Sequence, residues 1–148
     1  MLIGIGADHH GYILKQELIK LLEANNFRVI DFGTDSNESV DYPDFAEAIA
    51  RKVSKGEIDY GILICNTGIG MSIAANKVKG AYAALVLDKD MAEAACRHNK
   101  ANILAFSGER TSLDKAWEMF NTWINSSFEG GRHERRVAKV KSIEDAQE

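Results

Sequence analysis

Tyr60-Gly61-Ile62-Leu63-Ile64-Cys65 is an unbroken apolar run, and Asn66-Thr67-Gly68-Ile69-Gly70-Met71-Ser72 follows it as a glycine-bearing turn leading into Ile73 to Lys77. An apolar run without polar alternation is what a central parallel strand needs when helices cover both faces of its sheet. The turn carries Gly-x-Gly at the mouth of a helix, so strand, turn and helix make one βα unit.

The same alternation extends in both directions. Upstream, Leu2 to Ala7 reads as a strand closed by Asp8-His9-His10-Gly11, and Ile13, Leu14, Leu18, Leu21 and Leu22 keep a helical spacing as far as Asn25-Asn26. Phe27 to Phe32 is a second strand, stopped by the turn formers Gly33 to Asn37; Tyr42-Pro43-Asp44 then opens a helix with Phe45, Ala46, Ile49 and Val53 on its apolar face. Downstream, Ala81 to Leu87 and Ile103 to Phe106 read as strands, Asp90 to His98 and Ser112 to Trp123 as helices. Five βα units without linker or repeat predict an α/β fold, a doubly wound five-stranded parallel sheet with helices on both faces. Such sheets bind ligands beyond the carboxyl ends of their strands, where strand order reverses. The prime candidates are therefore Asp8-His9, Cys65 to Ser72, and His98-Asn99 in the loop before the fifth strand.

Composition narrows the function classes. The chain has 148 residues, 45% hydrophobic and 27% charged, which suits one domain with a real core. Eighteen basic against 22 acidic residues, a net charge of -4, argue against a broad nucleic-acid face. No apolar run approaches the ~20 residues of a membrane span, and Met1 to Gly6 reads as a strand rather than a signal peptide. Cys65 and Cys96 form no CxxC or metal-type pair, so a cytoplasmic chain with reduced thiols is expected.

Each candidate has a chemical and a structural reading. Backbone N–H groups of a glycine turn at a helix start favour a negative charge, lower the pKa of a nearby thiol and stabilise a developing oxyanion. Cys65 would then be a base or nucleophile; the alternative is a buried strand-end thiol beside a packing turn. Asp8 either handles protons with His9 or caps the helix near Gly11. Arg132 and Arg136 are spaced i,i+4 and would grip one phosphate together if helical, or else form a solvated face with Glu129 and Glu134. Arg110, after the fifth strand, is a further anion candidate. His98 also suits a helix C-terminus, and Cys96, Trp117 and Trp123 suit packing. A Walker loop and a Gly-x-Ser-x-Gly elbow are missing; Gly4-x-Gly6 has His9 where a dinucleotide site needs glycine; no His, Cys and carboxylate set has metal-ligand spacing.

Together, Asp8-His9, Asp41-Tyr42-Pro43, Gly61 to Ser72, Ala74-Ala75-Asn76-Lys77, His98-Asn99-x-Ala101-Asn102 and Gly130-Gly131-Arg132-His133 resemble the type B ribose-5-phosphate isomerase family, which includes galactose-6-phosphate isomerase. The likeness runs from Ile3 to about Val140. It implies a flavodoxin-like domain that interconverts aldose and ketose phosphates through an enediolate, without metal or cofactor. It also implies a homodimer or dimer of dimers with shared active sites, residues 128–148 forming a helical tail that packs on the partner. Residue by residue, the resemblance makes Cys65 the base and the N–H groups of Gly68, Ile69, Gly70, Met71 and Ser72 the enediolate hole. His98 of the other subunit and Asp8 would open the sugar ring, with Thr67 assisting. His9, Arg110, Arg132 and Arg136 would hold the phosphate, Tyr42 and Asn99 the sugar. Asn66 stands where the family commonly has glycine and His10 where it has a small residue, which leaves galactose, allose or tetrose phosphates open beside ribose 5-phosphate. The rival class is a non-catalytic phospholigand-binding module, which would not need Cys65.

Overall fold

The computed structural model describes residues 1–147. Strands β1 (Leu2–Ala7), β2 (Arg28–Asp31), β3 (Tyr60–Cys65), β4 (Ala83–Leu85) and β5 (Ile103–Ser107) alternate with helices α1 (Tyr12–Ala24), α2 (Tyr42–Ser54), α3 (Ile69–Ala75), α4 (Lys89–Arg97) and α5 (Leu113–Ile124); α6 (Arg132–Asp145) follows. All strand pairs are parallel, in the order β2-β1-β3-β5-β4. This is the expected doubly wound α/β sandwich. The last two strands exchange places relative to a simple 2-1-3-4-5 sheet, so β5 lies inside and β4 forms the edge.

Right-handed crossovers put α1, α4 and α5 on one face and α2 and α3 on the other. The cores agree. Ile5, Ile62, Ile64, Leu104 and Phe106 point at Leu14 and Leu18 of α1, Ala92 of α4 and Phe120 and Trp123 of α5. Leu63, Cys65, Ile103 and Ala105 point at Ala46, Ile49 and Val53 of α2 and Met71 and Ala75 of α3. The chain therefore leaves β1 and β5 toward one face and β3 toward the other. The outlet of β3 has a divergence on each side, which opens a crevice where Cys65 ends.

Several boundaries move from their sequence positions. Helix α3 starts at Ile69 rather than Ile73, because Gly68 adopts φ 81° and turns the chain at once into the helix. Asp8 does not cap α1: its Oδ1 accepts the His10 N–H at 3.0 Å, and Gly11 is the cap residue. β4 is shorter than Ala81 to Leu87, since Ala81 N–H is taken by Val78 O and Tyr82 N–H by Asn102 Oδ1. The Asn76 amide holds both the N–H and C=O of Ala83 in place. Phe27 N–H bonds back to Leu22 O, which delays β2 to Arg28.

Lys15 was unforeseen. It is fully buried, with Nζ 2.8 Å from both carboxylate oxygens of Asp31. Asp31 also accepts the Gly33 N–H at 2.8 Å, so the pair pins the loop after β2 to α1.

Within the expected tail 128–148, of which residue 148 lies outside the described residues, α6 docks mainly by polar contacts. Glu144 accepts from Gly80 N–H at 2.7 Å and from the Tyr82 hydroxyl at 3.1 Å, and Lys79 meets Asp145 at 3.0 Å. Only His133 of this helix is buried, and Val140 and Ile143 face outward at 51% and 66% exposure. No helix among the described residues is long and apolar enough to cross a membrane.

Candidate active site

Cys65 ends β3 and is buried against the α2–α3 layer. Its carbonyl accepts the Gly108 N–H at 2.8 Å, while Asn66 O accepts both the Ser107 hydroxyl at 2.7 Å and the Glu109 N–H at 3.2 Å. The outlets of β3 and β5 are thus tied together. A Cβ on Gly68 would lie 2.5 Å from Leu85 Cδ1 and 3.1 Å from the Phe106 backbone, so only glycine fits this turn.

The start of α3 supplies free donors. Ile69 N–H bonds to Thr67 Oγ1 at 3.2 Å and Ser72 N–H to Gly68 O at 3.1 Å. The Gly70 and Met71 N–H groups between them, in the first helical turn, have no acceptor among the described residues. Gly70 lies under the Tyr42 ring; a Cβ there would sit 2.5 Å from the ring carbons. An aromatic wall, a buried thiol and two adjacent unfilled donors share the carboxyl end of the sheet.

The loop after β1 joins them. Asp8 is buried and its N–H reaches Ile64 O at 3.2 Å. His9 accepts the Val40 N–H on Nδ1 at 3.2 Å, so a neutral His9 carries its proton on Nε2, free to donate to an anion. The exposed His10 ring stands 4.3 Å from that of His9. Arg110, also exposed, follows β5 on the same rim, its N–H on Ser107 Oγ at 3.1 Å.

The remaining candidates lie elsewhere in the chain. His98 caps the carboxyl end of α4 and, with Asn99, precedes β5, at the opposite end of the sheet from Cys65. That depth is about 15–20 Å for strands of this length. Arg132 and Arg136 share α6 as the i,i+4 spacing requires, and both are exposed. Arg136, His98 and Asn99 line a cavity of about 270 Å³ between α6 and the β4 edge. One chain therefore carries two half-sites: Asp8, His9, Tyr42, Cys65 to Ser72 and Arg110 on one rim, and His98, Asn99, Arg132 and Arg136 on the other.

Folding adds two residues to the second half-site. His133 stacks on His98 with ring centroids 4.2 Å apart and planes 9° apart, and Glu129 approaches both, 3.6 Å from His98 Nε2 and 3.9 Å from His133 Nε2. Arg97 Nη2 holds the same Glu129 oxygen, Oε2, at 3.2 Å. Burial pushes the His133 pKa below its usual value, helped by the charge of His98 and, to a lesser degree, of Arg132 and Arg136, while Glu129 opposes. Glu129 and His133 are i,i+4 neighbours, but His98 lies 31 positions before Glu129, beyond the reach of any spacing rule.

Comparison with known proteins matches residues 3–140 to the Ribose/Galactose Isomerase family model. The chain is 43% identical over 142 residues to the ribose-5-phosphate isomerase B of Escherichia coli, covering 96% of this chain and 95% of that protein. A Clostridium thermocellum ribose-5-phosphate isomerase B superposes with a TM-score of 0.96 at 51% identity, covering 98% of each chain. The ribose-5-phosphate isomerase B of Mycoplasma genitalium, solved with bound ribulose-5-phosphate, gives 0.94 at 40% identity, covering 99% of this chain and 97% of that one.

Proposed function

This chain belongs to the ribose/galactose isomerase family, and from that premise we propose that it is a sugar-phosphate aldose–ketose isomerase acting on ribose 5-phosphate, with Cys65 as the base. Buried Cys65 beside the two unfilled N–H groups of Gly70 and Met71 is the observation that carries the reading.

The reaction moves one proton between carbons and one between oxygens. The Cys65 thiolate takes the proton from C2 of the open-chain aldose, and the electron pair passes through the C1–C2 bond to the carbonyl oxygen. The enediolate so formed lies against the first turn of α3. The same thiol returns its proton to C1 while the proton of the C2 hydroxyl passes to the C1 oxygen, leaving a ketone at C2 and an alcohol at C1. A proton α to a carbonyl is only weakly acidic, and one well-placed oxyanion donor is worth about 3 kcal/mol. Proton transfer and donors together supply the catalysis, and no metal takes part.

Asp8 and His98 open the sugar ring, Thr67 assists, Tyr42 and Asn99 flank the sugar, and His9, Arg110, Arg132 and Arg136 take the phosphate. A phosphate cannot reach both ends of the sheet within one chain. The second half-site therefore comes from a partner copy in a homodimer or dimer of dimers, with the tail 128–148 of this single domain packed across the boundary.

Solvent deuterium entering C1 or C2 of ribose 5-phosphate tests the proton transfer, because a module that only binds phospholigands cannot catalyse it. Activity should survive EDTA. Turnover compared across tetrose, pentose and hexose phosphates tests the substrate. Exposed Asn66, next to Cys65, makes preference for a sugar other than the pentose the outcome that would replace ribose 5-phosphate.

A further inference from the structure

We propose that His98, Glu129 and His133 form a binding site for one divalent transition-metal ion of the zinc class, and that occupancy silences the isomerase by engaging the His98 imidazole. The site does not rest on the isomerase reading; the inhibition does.

Two independent observations converge. First, one ring nitrogen of His98, one carboxylate oxygen of Glu129 and one ring nitrogen of His133 all lie within 4.8 Å of one another. Second, His133 is only 7% exposed, and its Nε2 is the one buried side-chain nitrogen or oxygen among the described residues without a hydrogen-bond partner. A buried polar atom left unpaired is costly. This one stands 3.9 Å from Glu129 Oε1.

Two imidazoles and a carboxylate suit zinc and its neighbours, whereas calcium and magnesium call for an all-oxygen shell. Bonds of about 2.0–2.2 Å in tetrahedral geometry need donor atoms about 3.4 Å apart. The measured separations of 3.6 and 3.9 Å to Glu129 are close to that. His98 and Glu129 are 44% and 43% exposed at their side chains, so they can rotate to close the set while His133 stays fixed. Arg97 Nη2 holds Oε2 of Glu129, the oxygen 3.6 Å from His98, so the ion would take Oε1, 3.9 Å from His133, with the exposed His98 ring turning toward it. Three protein ligands leave a fourth position open.

The ion would cost the enzyme its acid–base imidazole, since a nitrogen that binds a metal cannot exchange a proton with the sugar. Zinc chloride titrated calorimetrically into EDTA-stripped full-length Cys65→Ser protein should show one ion per chain. The Cys65→Ser background removes one of the two free thiols, and the other, half-buried Cys96, is common to every variant compared. Adding Glu129→Gln or His133→Gln should weaken binding at least as much as loss of an outer-shell partner does, roughly 10–100-fold. No binding, or binding unchanged by both substitutions, overturns the site.

With wild-type Cys65 restored, zinc should inhibit turnover of ribose 5-phosphate and EDTA should reverse it. In Glu129→Gln, with inhibition scaled to that variant's own metal-free turnover, the inhibitory concentration should rise by the same roughly 10–100-fold. Equal inhibition of wild type and Glu129→Gln overturns silencing through this site. A protein that turns over no sugar phosphate refutes the isomerase reading, while calorimetry still judges the site.

Discussion

The two rims of the sheet are built on different principles. Around Cys65 the chain is held by its own backbone: the carbonyls of Cys65 and Asn66 are occupied, and Gly68 is walled in by Leu85 and the Phe106 backbone. Around His98 the functional groups are exposed side chains, and of α6 only His133 is buried. The first rim is held in one arrangement because moving it means moving the core. The second offers charge and reach, and gains definition only when something packs against it. Under the proposed function, the C2–C1 proton transfer falls to the first rim, and the second lends His98 to ring opening and its arginines to the phosphate.

The sharpest test of that division is Cys65→Ala. Loss of a positioned base should lower kcat by about 10²- to 10⁴-fold, read from initial rates under saturating sugar phosphate. The cooperative unfolding transition should remain, since only the thiol of one buried residue is lost. Rates near wild type would move the base elsewhere on the rim.

A pair of glycines compares the rims directly. Gly68 and Gly130 both have positive φ, 81° and 73°. Gly68→Ala combines left-handed strain with a collision against Leu85 and should cost about 2–5 kcal/mol. Gly130→Ala meets only the flexible end of Glu134 at 3.9 Å and should cost about 1–2 kcal/mol, the strain alone. Urea unfolding of the two variants measures both. Equal costs would mean that the two rims are equally constrained.

Arg136→Ala probes capture without chemistry. A charged hydrogen bond is worth about 1.5–3 kcal/mol, so KM should rise roughly 10- to 100-fold. Phosphate is held alike in ground and transition states, so kcat should stay near wild type. Stability should shift by less than about 0.5 kcal/mol, because Arg136 is exposed. A fall in kcat with KM unchanged would place Arg136 in the chemistry instead.

The same contrast explains what could be read from the sequence. Apolar runs and turn glycines fix the βα units, and a strand-to-helix turn is local, so Cys65 to Ser72 is legible from residue order alone. Strand order is not local: the exchange of β4 and β5 depends on how two crossovers pack, and no residue in either strand announces it. Lys15 was invisible because a lysine on a helix ordinarily faces water, and its partner Asp31 lies 16 positions away on another element. The grouping of His98 with Glu129 and His133 depends on where α6 docks, through Glu144 and Asp145. Capping stays open for Asp8 in the sequence because Asp before a helix satisfies that rule whether its side chain turns to α1 or to the His10 N–H.

The smallest expected effect bears on how firmly the second rim is held. His133 has its folded pKa below the usual 6.5. The unfolded chain therefore takes up a proton more readily than the folded one. The stability tied to neutral His133 is complete above 6.5 and falls away as the pH drops from there toward the folded pKa. Thermal unfolding between about pH 7.5 and pH 5.5 should show this as a shallow loss, and His133→Gln should remove that part of the slope. NMR titration of the His133 ring gives the direct reading, an apparent pKa below that of a free imidazole. A ring that titrates at or above 6.5 would mean that Glu129 outweighs burial and the positive neighbours, and that the buried imidazole holds α6 as a charged partner rather than a neutral one.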